Sequence, residues 1–302
     1  MRLDTSNGDP YNYTVITISS DIEKWDETVP EGDNWNLETI HAQSAWNKIS
    51  NPYKVKVGVL DSYFEENRKD NDIIFDYIKN PNPEKVDNLT KLKHGTHVAG
   101  IIGATNDGSG MVGISPGVQL YGYSYLNSSD YTDMMYYKLA FANLIINQVR
   151  IINVSLAYPE GKVIAASCDN LKECEKARQR IKDESELMAE FLDKLVQEGY
   201  DFLIVNAAGN NNCKSYIKDT KVNYNYRECK DGETADFVAK DIDSKYAFFI
   251  NAIEDNTLKN RIIVVGSMNY SRAYSSFSNV GSRVNVCAPG ETILSVVPYS
   301  VT

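Results

Sequence analysis

Continuous apolar runs alternate with segments of helical apolar spacing along most of this chain. The runs are rich in Val, Ile and Leu and are short enough to be strands. Because strands of this kind alternate with helices, the pattern predicts an α/β fold: a mainly parallel, twisted β-sheet with helices on both faces, in three layers. The predicted strands lie at residues 55–60, 119–125, 151–156, 202–205 and 261–265, and the predicted helices at 36–49, 132–149 and 185–198, with a further helix opened by His94.

The same pattern gives a domain organisation. Residues 1–35 show no strong periodicity and are interpreted as an N-terminal extension, and residues 36–302 as one domain. Two polar stretches, near 159–184 and 211–258, are interpreted as insertions into that domain. In the helix at 132–149 the spacing places the apolar stripe on Met135, Leu139, Ala142, Ile145 and Ile146.

Composition and charge narrow the function classes. The 302 residues are 42% hydrophobic and 24% charged, as in ordinary globular proteins. A net charge of −10 argues against a nucleic-acid partner, which would favour a basic face. No apolar run approaches the ~18 residues of a membrane span, so none is expected. The polar start is not a signal peptide, so either the protein is cytosolic or a signal has been removed.

The five cysteines favour export. Cys168 and Cys174 flank one short polar loop, and Cys213 and Cys229 flank another, whereas Cys287 lies in an apolar run. Two local pairs with one buried free thiol are typical of a secreted or periplasmic protein with small disulfide-closed loops. Five reduced cysteines remain the alternative. A zinc site is not expected, since no histidine lies near either pair.

Three short motifs carry the candidate chemistry. Val57-Gly-Val-Leu-Asp61-Ser ends a strand with a carboxylate, His94-Gly-Thr-His97-Val-Ala-Gly opens a helix with an imidazole, and Val205-Asn-Ala-Ala-Gly-Asn210 ends a strand with an amide. Asp61, His94 and Asn210 therefore offer a carboxylate that orients a base, the base, and an oxyanion donor. Since sites of parallel sheets form beyond the carboxyl ends of the strands, we expect these groups to converge there. His97, one turn beyond His94, is interpreted as structural.

In these motifs, and in their order along the chain, the sequence resembles the subtilisin-like serine proteases, the subtilases. Later segments, Tyr274-Ser-Ser-Phe-Ser-Asn-Val-Gly281 and Ala288-Pro-Gly-Glu-Thr-Ile-Leu-Ser295, extend the resemblance. It implies a subtilisin-like fold and endopeptidase activity on peptide or protein substrates. It implies no cofactor for the chemistry, and it leaves the oligomeric state unknown.

The resemblance also implies residues that bind substrate and metal. Ser155-Leu156-Ala157 matches the strand whose backbone pairs with the peptide, and Ala207-Ala208-Gly209 lies beside the oxyanion donor. Many subtilases have Gly-Gly where this chain has Ala157-Tyr158, so no side-chain preference is predicted. Asp70 and Asp107 fall where a structural calcium ion is held in some subtilases; an ordinary Gly-rich turn at 104–113 is the alternative.

The family's nucleophile motif, Gly-Thr-Ser, does not occur in the 302 residues. By resemblance the serine should follow Ala-Pro-Gly290 after a short loop, a few positions past Thr302. Ser295 and Ser300 lack the flanking Gly-Thr. We expect the natural protein to continue or the gene to encode a shortened form, with cleavage before the serine as a third explanation. The alternative function is that of a non-catalytic subtilase homologue that binds peptides or a partner protein. A phosphate-binding protein would need a Gly-rich loop after the first strand, which Asp61-Ser-Tyr-Phe-Glu-Glu is not.

Overall fold

The computed structural model describes most of the chain in thirteen stretches. These are residues 2–4, 14–16, 34–48, 55–66, 73–80, 94–108, 111–126, 134–167, 172–212, 214–218, 224–228, 237–238 and 241–296.

Strands and helices alternate through the described residues. The strands are β1 (Arg2–Asp4), β2 (Thr14–Ile16), β3 (Lys56–Asp61), β4 (Phe75–Lys79), β5 (Gln119–Ser124), β6 (Ile151–Val154), β7 (Leu203–Ala207), β8 (Lys214–Lys218), β9 (Tyr224–Glu228), β10 (Phe237–Val238), β11 (Ile262–Met268) and β12 (Val286–Pro289). The helices are α1 (Trp35–Thr39), α2 (Ala42–Trp46), α3 (His94–Gly103), α4 (Met134–Ile146), α5 (Glu160–Ser167), α6 (Lys172–Gln197) and α7 (Asn256–Lys259), with a short 3-10 helix at Ser244–Tyr246.

Seven of the strands form one sheet in which every neighbouring pair is parallel. Its order is β12-β11-β7-β6-β3-β5-β4. The α/β prediction, with helices beside a parallel sheet, is therefore confirmed. Two small antiparallel sheets, β1-β2 and β10-β8-β9, lie outside it, and the second belongs to the stretch at 211–258.

The strand order changes direction between β3 and β6. From β3 the chain adds β4 and β5 on one side of the sheet, and it then crosses through α4 to add β6 on the other side. Such a reversal opens a crevice at the carboxyl ends of the two strands. Val59 pairs with Asn153, so Asp61 and Ser155 both lie two residues farther on, at that crevice.

Two cores lie on opposite faces of the sheet. On one face, residues such as Ile152, Ile204 and Val264 are fully buried in the core that includes α4 and α6. On the other face, α3 packs on β3 and β5, where Val59 and Leu120 are fully buried.

In the described part of the chain, the face of the sheet that carries α3 is covered over only part of its width. Along β6, β7 and β11, the residues that alternate with the buried core positions are half-buried. They include Ile151, Val205, Ile263 and Val265. Central strands of a parallel sheet are normally buried on both faces, so this surface is unusual for its position.

The predicted apolar stripe of α4 is wrong at three of its five positions, while Ile145 is buried as predicted. Met135, Leu139 and Ile146 are exposed by 60%, 48% and 58%. The helix instead buries Tyr137, Ala140, Phe141, Leu144 and Ile145. The ring of Tyr137 packs edge-on against Phe248 and Phe249, at centroid distances of 5.4 and 5.1 Å. Partners from a distant part of the chain therefore select which apolar side of α4 faces inward.

The single helix predicted at 36–49 is two short helices. Backbone φ of 57° at His41 is left-handed and separates α1 from α2. The break lets Leu37 and Ala42 pack together with Val112.

The described cysteines differ from the predicted setting. Cys174 is buried on α6 rather than placed in a polar loop, and it is disulfide-bonded. Cys168, Cys213 and Cys229 lie outside the described residues, so the two pairings stay predictions. Cys287 is a free thiol, as predicted, and is half-buried on β12.

Among the described residues, no helix combines the length and apolar character that crossing a membrane would need.

Candidate active site

Asp61 and His94 are in direct contact at the crevice. Nδ1 of His94 lies 2.8 Å from each carboxylate oxygen of Asp61. The Asp61 side chain is fully buried, whereas the His94 side chain is 32% exposed. The predicted contact between the two motifs is therefore present, with one partner inside the protein and the other reaching its surface.

Local hydrogen bonds hold the carboxylate in place. Asp61 accepts a hydrogen bond of 2.7 Å from the backbone N–H of Ser62 and one of 3.2 Å from its hydroxyl. These bonds satisfy a buried charge that would otherwise be costly. The Ser62 carbonyl in turn accepts a bond from the hydroxyl of Ser124 on the neighbouring strand.

A glycine brings α3 close to β3. A Cβ atom on Gly95 would lie 2.5 Å from the carbonyl oxygen of Tyr63 and 3.2 Å from Cβ of Asp61. Any larger residue would push the helix, and the imidazole of His94 with it, away from the carboxylate.

The carboxylate changes the acidity of the imidazole. Burial by itself lowers the pKa of His94, but attraction to Asp61 and the hydrogen bond between them outweigh it. The pKa of His94 is therefore raised above its ordinary value of 6.5.

His97 is held neutral inside the protein. Burial, and secondarily repulsion from His94, lower the pKa of His97 to about 3. Its Nε2 atom is buried with no hydrogen-bond partner among the described residues. A hydrogen bond joins the imidazole ring of His97 to the backbone of Ile293. The backbone carbonyl oxygen of His97 accepts a 2.7 Å hydrogen bond from the hydroxyl of Ser295. His97 as a whole is half-buried, with its Nε2 atom shielded from solvent, and its structural role stays a prediction.

Residues 207–212 form a tight turn beyond β7, called the Asn210 loop below. Gly209 has a φ of 99°, a left-handed conformation that favours glycine. A Cβ atom there would lie 2.5 Å from Nδ2 of Asn279 and 2.8 Å from Cβ of Ala247. Asn210 is exposed at the tip of the loop, whereas Ala208 and Asn211 are buried.

The predicted substrate strand lies beside that loop. Val154 pairs with Asn206, so Ser155 follows β6 next to Ala207. Ser155 is half-buried and its hydroxyl accepts a 2.9 Å hydrogen bond from the amide of Asn153. Leu156 is buried and Ala157 is exposed.

Tyr158, the residue that replaces glycine in the resemblance, points into the core. It is 7% exposed and packs against Phe248 and Phe249. Its hydroxyl donates to Glu184 of α6, which also binds the ammonium of Lys162 at 2.8 Å. Burial, then the bond to Glu184, raise the pKa of Tyr158. This cluster anchors the end of the Ser155 strand to α6.

The calcium prediction finds no support in the described part of the chain. Asp107 is exposed and accepts a 3.4 Å hydrogen bond from Thr105, and Asp70 lies outside the described residues. Within those residues, no group of three or more His, Cys, Asp or Glu side chains could hold a metal ion. One exposed carboxylate does not fit the six to eight oxygen ligands that calcium prefers.

The sequence analysis did not single out two sets of residues that hold the site in place. One is the Tyr158, Glu184 and Lys162 cluster; the other is a group of buried asparagines around the Asn210 loop, chiefly Asn251 and Asn279. The only signal for Asn279 is its place in the Tyr274–Gly281 segment that matches the resemblance. Nothing in the sequence near Asn251 marks it.

Comparison with known proteins places these features in a family. A sequence model of the Subtilase family matches residues 53–301. The minor extracellular protease Epr of Bacillus subtilis (strain 168) is 30% identical over 161 residues, which are 48% of this chain and 24% of that protein. The intracellular serine protease of Paenibacillus polymyxa is 28% identical over 292 residues, 95% of this chain and 69% of that protein.

Further relatives are longer than this chain. Several subtilisins match over 90% of it, and that match covers 55% of their own length. Among solved structures, the prenylagaramide maturation protease PagA is similar with a TM-score of 0.46 and 19% identity, over 85% of this chain and 70% of that one. Because the family match spans most of the sequence and includes all three motifs, the chain belongs to the subtilase family.

Proposed function

We propose that the protein to which this chain belongs is a subtilisin-like serine endopeptidase. The observation that carries the proposal is the bonded pair of Asp61 and His94, with both carboxylate oxygens 2.8 Å from Nδ1. A buried carboxylate that binds one ring nitrogen fixes the tautomer and orientation of an imidazole base.

The chemistry follows from that arrangement. His94 accepts the proton of a serine hydroxyl as its oxygen attacks the carbonyl carbon of a peptide bond. The tetrahedral intermediate carries an oxyanion, toward which the Asn210 amide donates a hydrogen bond. The proton then passes to the amine that leaves, and water hydrolyses the acyl-enzyme by the same steps in reverse order. Asp61 holds the imidazole in its orientation and stabilises the imidazolium.

Peptide substrates suit the surface beside this pair. Ser155, Leu156 and Ala157 continue a central strand past the sheet edge, and Ala207, Ala208 and Gly209 do so on the adjacent strand. Two extended segments at neighbouring strand ends offer backbone groups to an extended peptide between or beside them.

The half-buried face of the sheet offers a place for the segment that would carry the nucleophilic serine. It runs along β6 and β7 and ends at Ser155 and Ala207. Since a parallel sheet is normally covered on both faces, we propose that the segment carrying the serine packs there and reaches the crevice from below.

Export is the proposed setting. The disulfide-bonded Cys174 supports an oxidising compartment. The names of the relatives include both an extracellular and an intracellular protease, so localisation rests on the cysteine rather than on the family. No step of the proposed reaction uses a metal ion or a cofactor.

The test uses the full natural protein and the 302-residue chain in parallel. The full protein is expected to cleave a denatured protein substrate and to be labelled by a fluorophosphonate, a reagent for activated serines. The 302-residue chain, which lacks Gly-Thr-Ser, is expected to do neither.

The control is the full protein with His94→Ala, which should lose both turnover and labelling. A full protein that binds peptides but shows neither turnover nor label would favour the non-catalytic homologue. Turnover by the 302-residue chain would show that one of its own serines acts as the nucleophile.

A further inference from the structure

We propose that Asn279 is a positioning residue for the oxyanion donor, acting through Asn210; the inference rests on the proposed peptidase function. Asn279 is fully buried and lies between β11 and β12, far from Asn210 in the chain.

The hydrogen bonds of Asn279 bracket Asn210 on both sides. The Asn279 backbone N–H donates to the carbonyl oxygen of Gly209 at 2.9 Å. Its side-chain oxygen accepts from the backbone N–H of Asn211 at 2.8 Å. Its amide nitrogen donates to Oδ1 of Asn211 at 3.1 Å. The residues before and after Asn210 are thus fixed by one side chain and its own backbone.

A neighbouring bond extends the clamp. The backbone N–H of Asn212 donates to the carbonyl oxygen of Phe277 at 3.0 Å. Asn279 is itself held, because Tyr274 donates a 2.8 Å hydrogen bond to its carbonyl oxygen. The clamp is therefore anchored to the protein rather than to the loop alone.

The other end of the loop is fixed in a similar way. The carbonyl oxygen of Ala207 accepts hydrogen bonds from the amides of Asn206 at 3.0 Å and Asn251 at 2.9 Å. Both asparagines are buried, and the side-chain oxygen of Asn251 accepts from Asn206 at 2.7 Å. Buried asparagines therefore bind the loop at both ends, Asn206 and Asn251 at its start and Asn279 at its end. Asn210 lies exposed between these ends.

This construction suits a donor that must not move. A hydrogen bond to a developing oxyanion stabilises the transition state only if the donor is already in place. An exposed side chain on an unsupported loop would lose that geometry, and a displacement of about 1 Å can cost about 10²-fold in rate. Asn279 supplies the support without touching the substrate.

The experiment is a double-mutant cycle in the full natural protein. Asn279→Ala is expected to lower kcat by about 10- to 100-fold, with KM changed less than about twofold, because ground-state binding does not use the oxyanion donor. In an Asn210→Ala background the same substitution should lower kcat by less than about threefold, since the group that Asn279 positions is already absent.

Two controls separate positioning from general loss of structure. Asn285→Ala removes another side-chain acceptor of a backbone N–H, that of Val264 at 2.8 Å, and should leave kcat unchanged. Asn211→Ala removes only one bond of the clamp and should give a smaller loss than Asn279→Ala. Thermal unfolding of each variant gives the fraction that is folded at the assay temperature, and kcat is calculated for that folded fraction.

The outcomes are distinguishable. If the unmodified full protein shows no turnover, the proposed function fails and the inference with it. If it turns over substrate but Asn279→Ala lowers kcat equally in both backgrounds, Asn279 is only structural and the inference alone is overturned.

Discussion

The acid–base pair and the Asn210 loop lie at the same edge of the sheet but are held in opposite ways. Asp61 and His94 bind each other directly, and charge supplies the attraction. The Asn210 loop is held by neutral amides from elsewhere in the chain, through Asn251 and Asn279. One half of the site is therefore sensitive to charge and the other to backbone shape.

The comparison predicts its largest effect for removal of the base. In the full protein, His94→Ala should lower kcat by about 10⁶, the size found for this loss in subtilisin, whereas Asp61→Ala should cost about 10⁴. The difference arises because the carboxylate only orients and stabilises the imidazole. Steady-state kinetics with a peptide substrate measure both. Equal losses for the two variants would contradict this division of roles.

The second prediction tests the loop by its shape. Gly209→Ala adds a Cβ atom 2.5 Å from Nδ2 of Asn279, at a φ of 99°. We expect kcat to fall by about 10²-fold and the free energy of unfolding to fall by about 1–3 kcal/mol.

Gly199→Ala is the matched control for that substitution. Gly199 has a φ of 87° at the end of α6, but a Cβ atom there meets nothing within 4 Å. It should cost about 1 kcal/mol of stability through backbone strain and leave kcat unchanged. If both variants lose activity alike, strain rather than contact with Asn279 explains the effect.

The two halves of the site also differ in what sequence could predict. Asp61 and His94 each stand in a local motif at the end of a strand or the start of a helix, so both residues and their contact could be predicted. Asn279 could not, because its bonds to the Asn210 loop exist only once β11 and β12 are in place. A local motif can identify the residues that do the chemistry, whereas the residues that hold them in place are determined by tertiary packing.

The same limit explains the errors in the fold. Five of the seven strands of the parallel sheet, β3, β5, β6, β7 and β11, were predicted because each is apolar along its own length. The edge strand β4 was not, since polar residues interrupt its apolar positions. The inward side of α4 was predicted correctly only at Ile145, since this helix is apolar on several sides and distant Phe248 and Phe249 decide which side is buried. The left-handed residue at His41 likewise splits a segment whose apolar spacing alone predicts one helix.

The third prediction concerns acid stability on the acid–base side. The pKa of His97 is about 3 in the folded protein against 6.5 ordinarily, so the unfolded chain binds a proton first as pH falls. The stabilisation that depends on neutral His97 is complete above pH 6.5. It is lost between pH 6.5 and about 3, and the free energy of unfolding falls by at most about 1.4 kcal/mol per pH unit. His97→Gln should flatten this slope when the free energy of unfolding is measured in urea at a series of pH values. A slope unchanged by His97→Gln would contradict the assignment.

The smallest effect is a shift of the His94 titration. Its raised pKa depends on Asp61, while burial acts in the opposite direction. Asp61→Asn removes the charge and leaves the burial, so the pKa of His94 should fall below 6.5, whereas Asn210→Ala, a neutral change, should not move it.

In the full protein, the rate should rise with pH through the raised pKa of His94, because only the neutral imidazole accepts a proton. The stability that the pair provides runs the other way: it is complete below pH 6.5 and is lost as pH rises through the folded pKa. Imidazole NMR titrations of the 302-residue chain measure the midpoints, with the signals assigned from His41→Asn and His97→Gln. A midpoint that Asp61→Asn leaves in place would show that charge does not hold this half of the site, and the contrast with the Asn210 loop would fail.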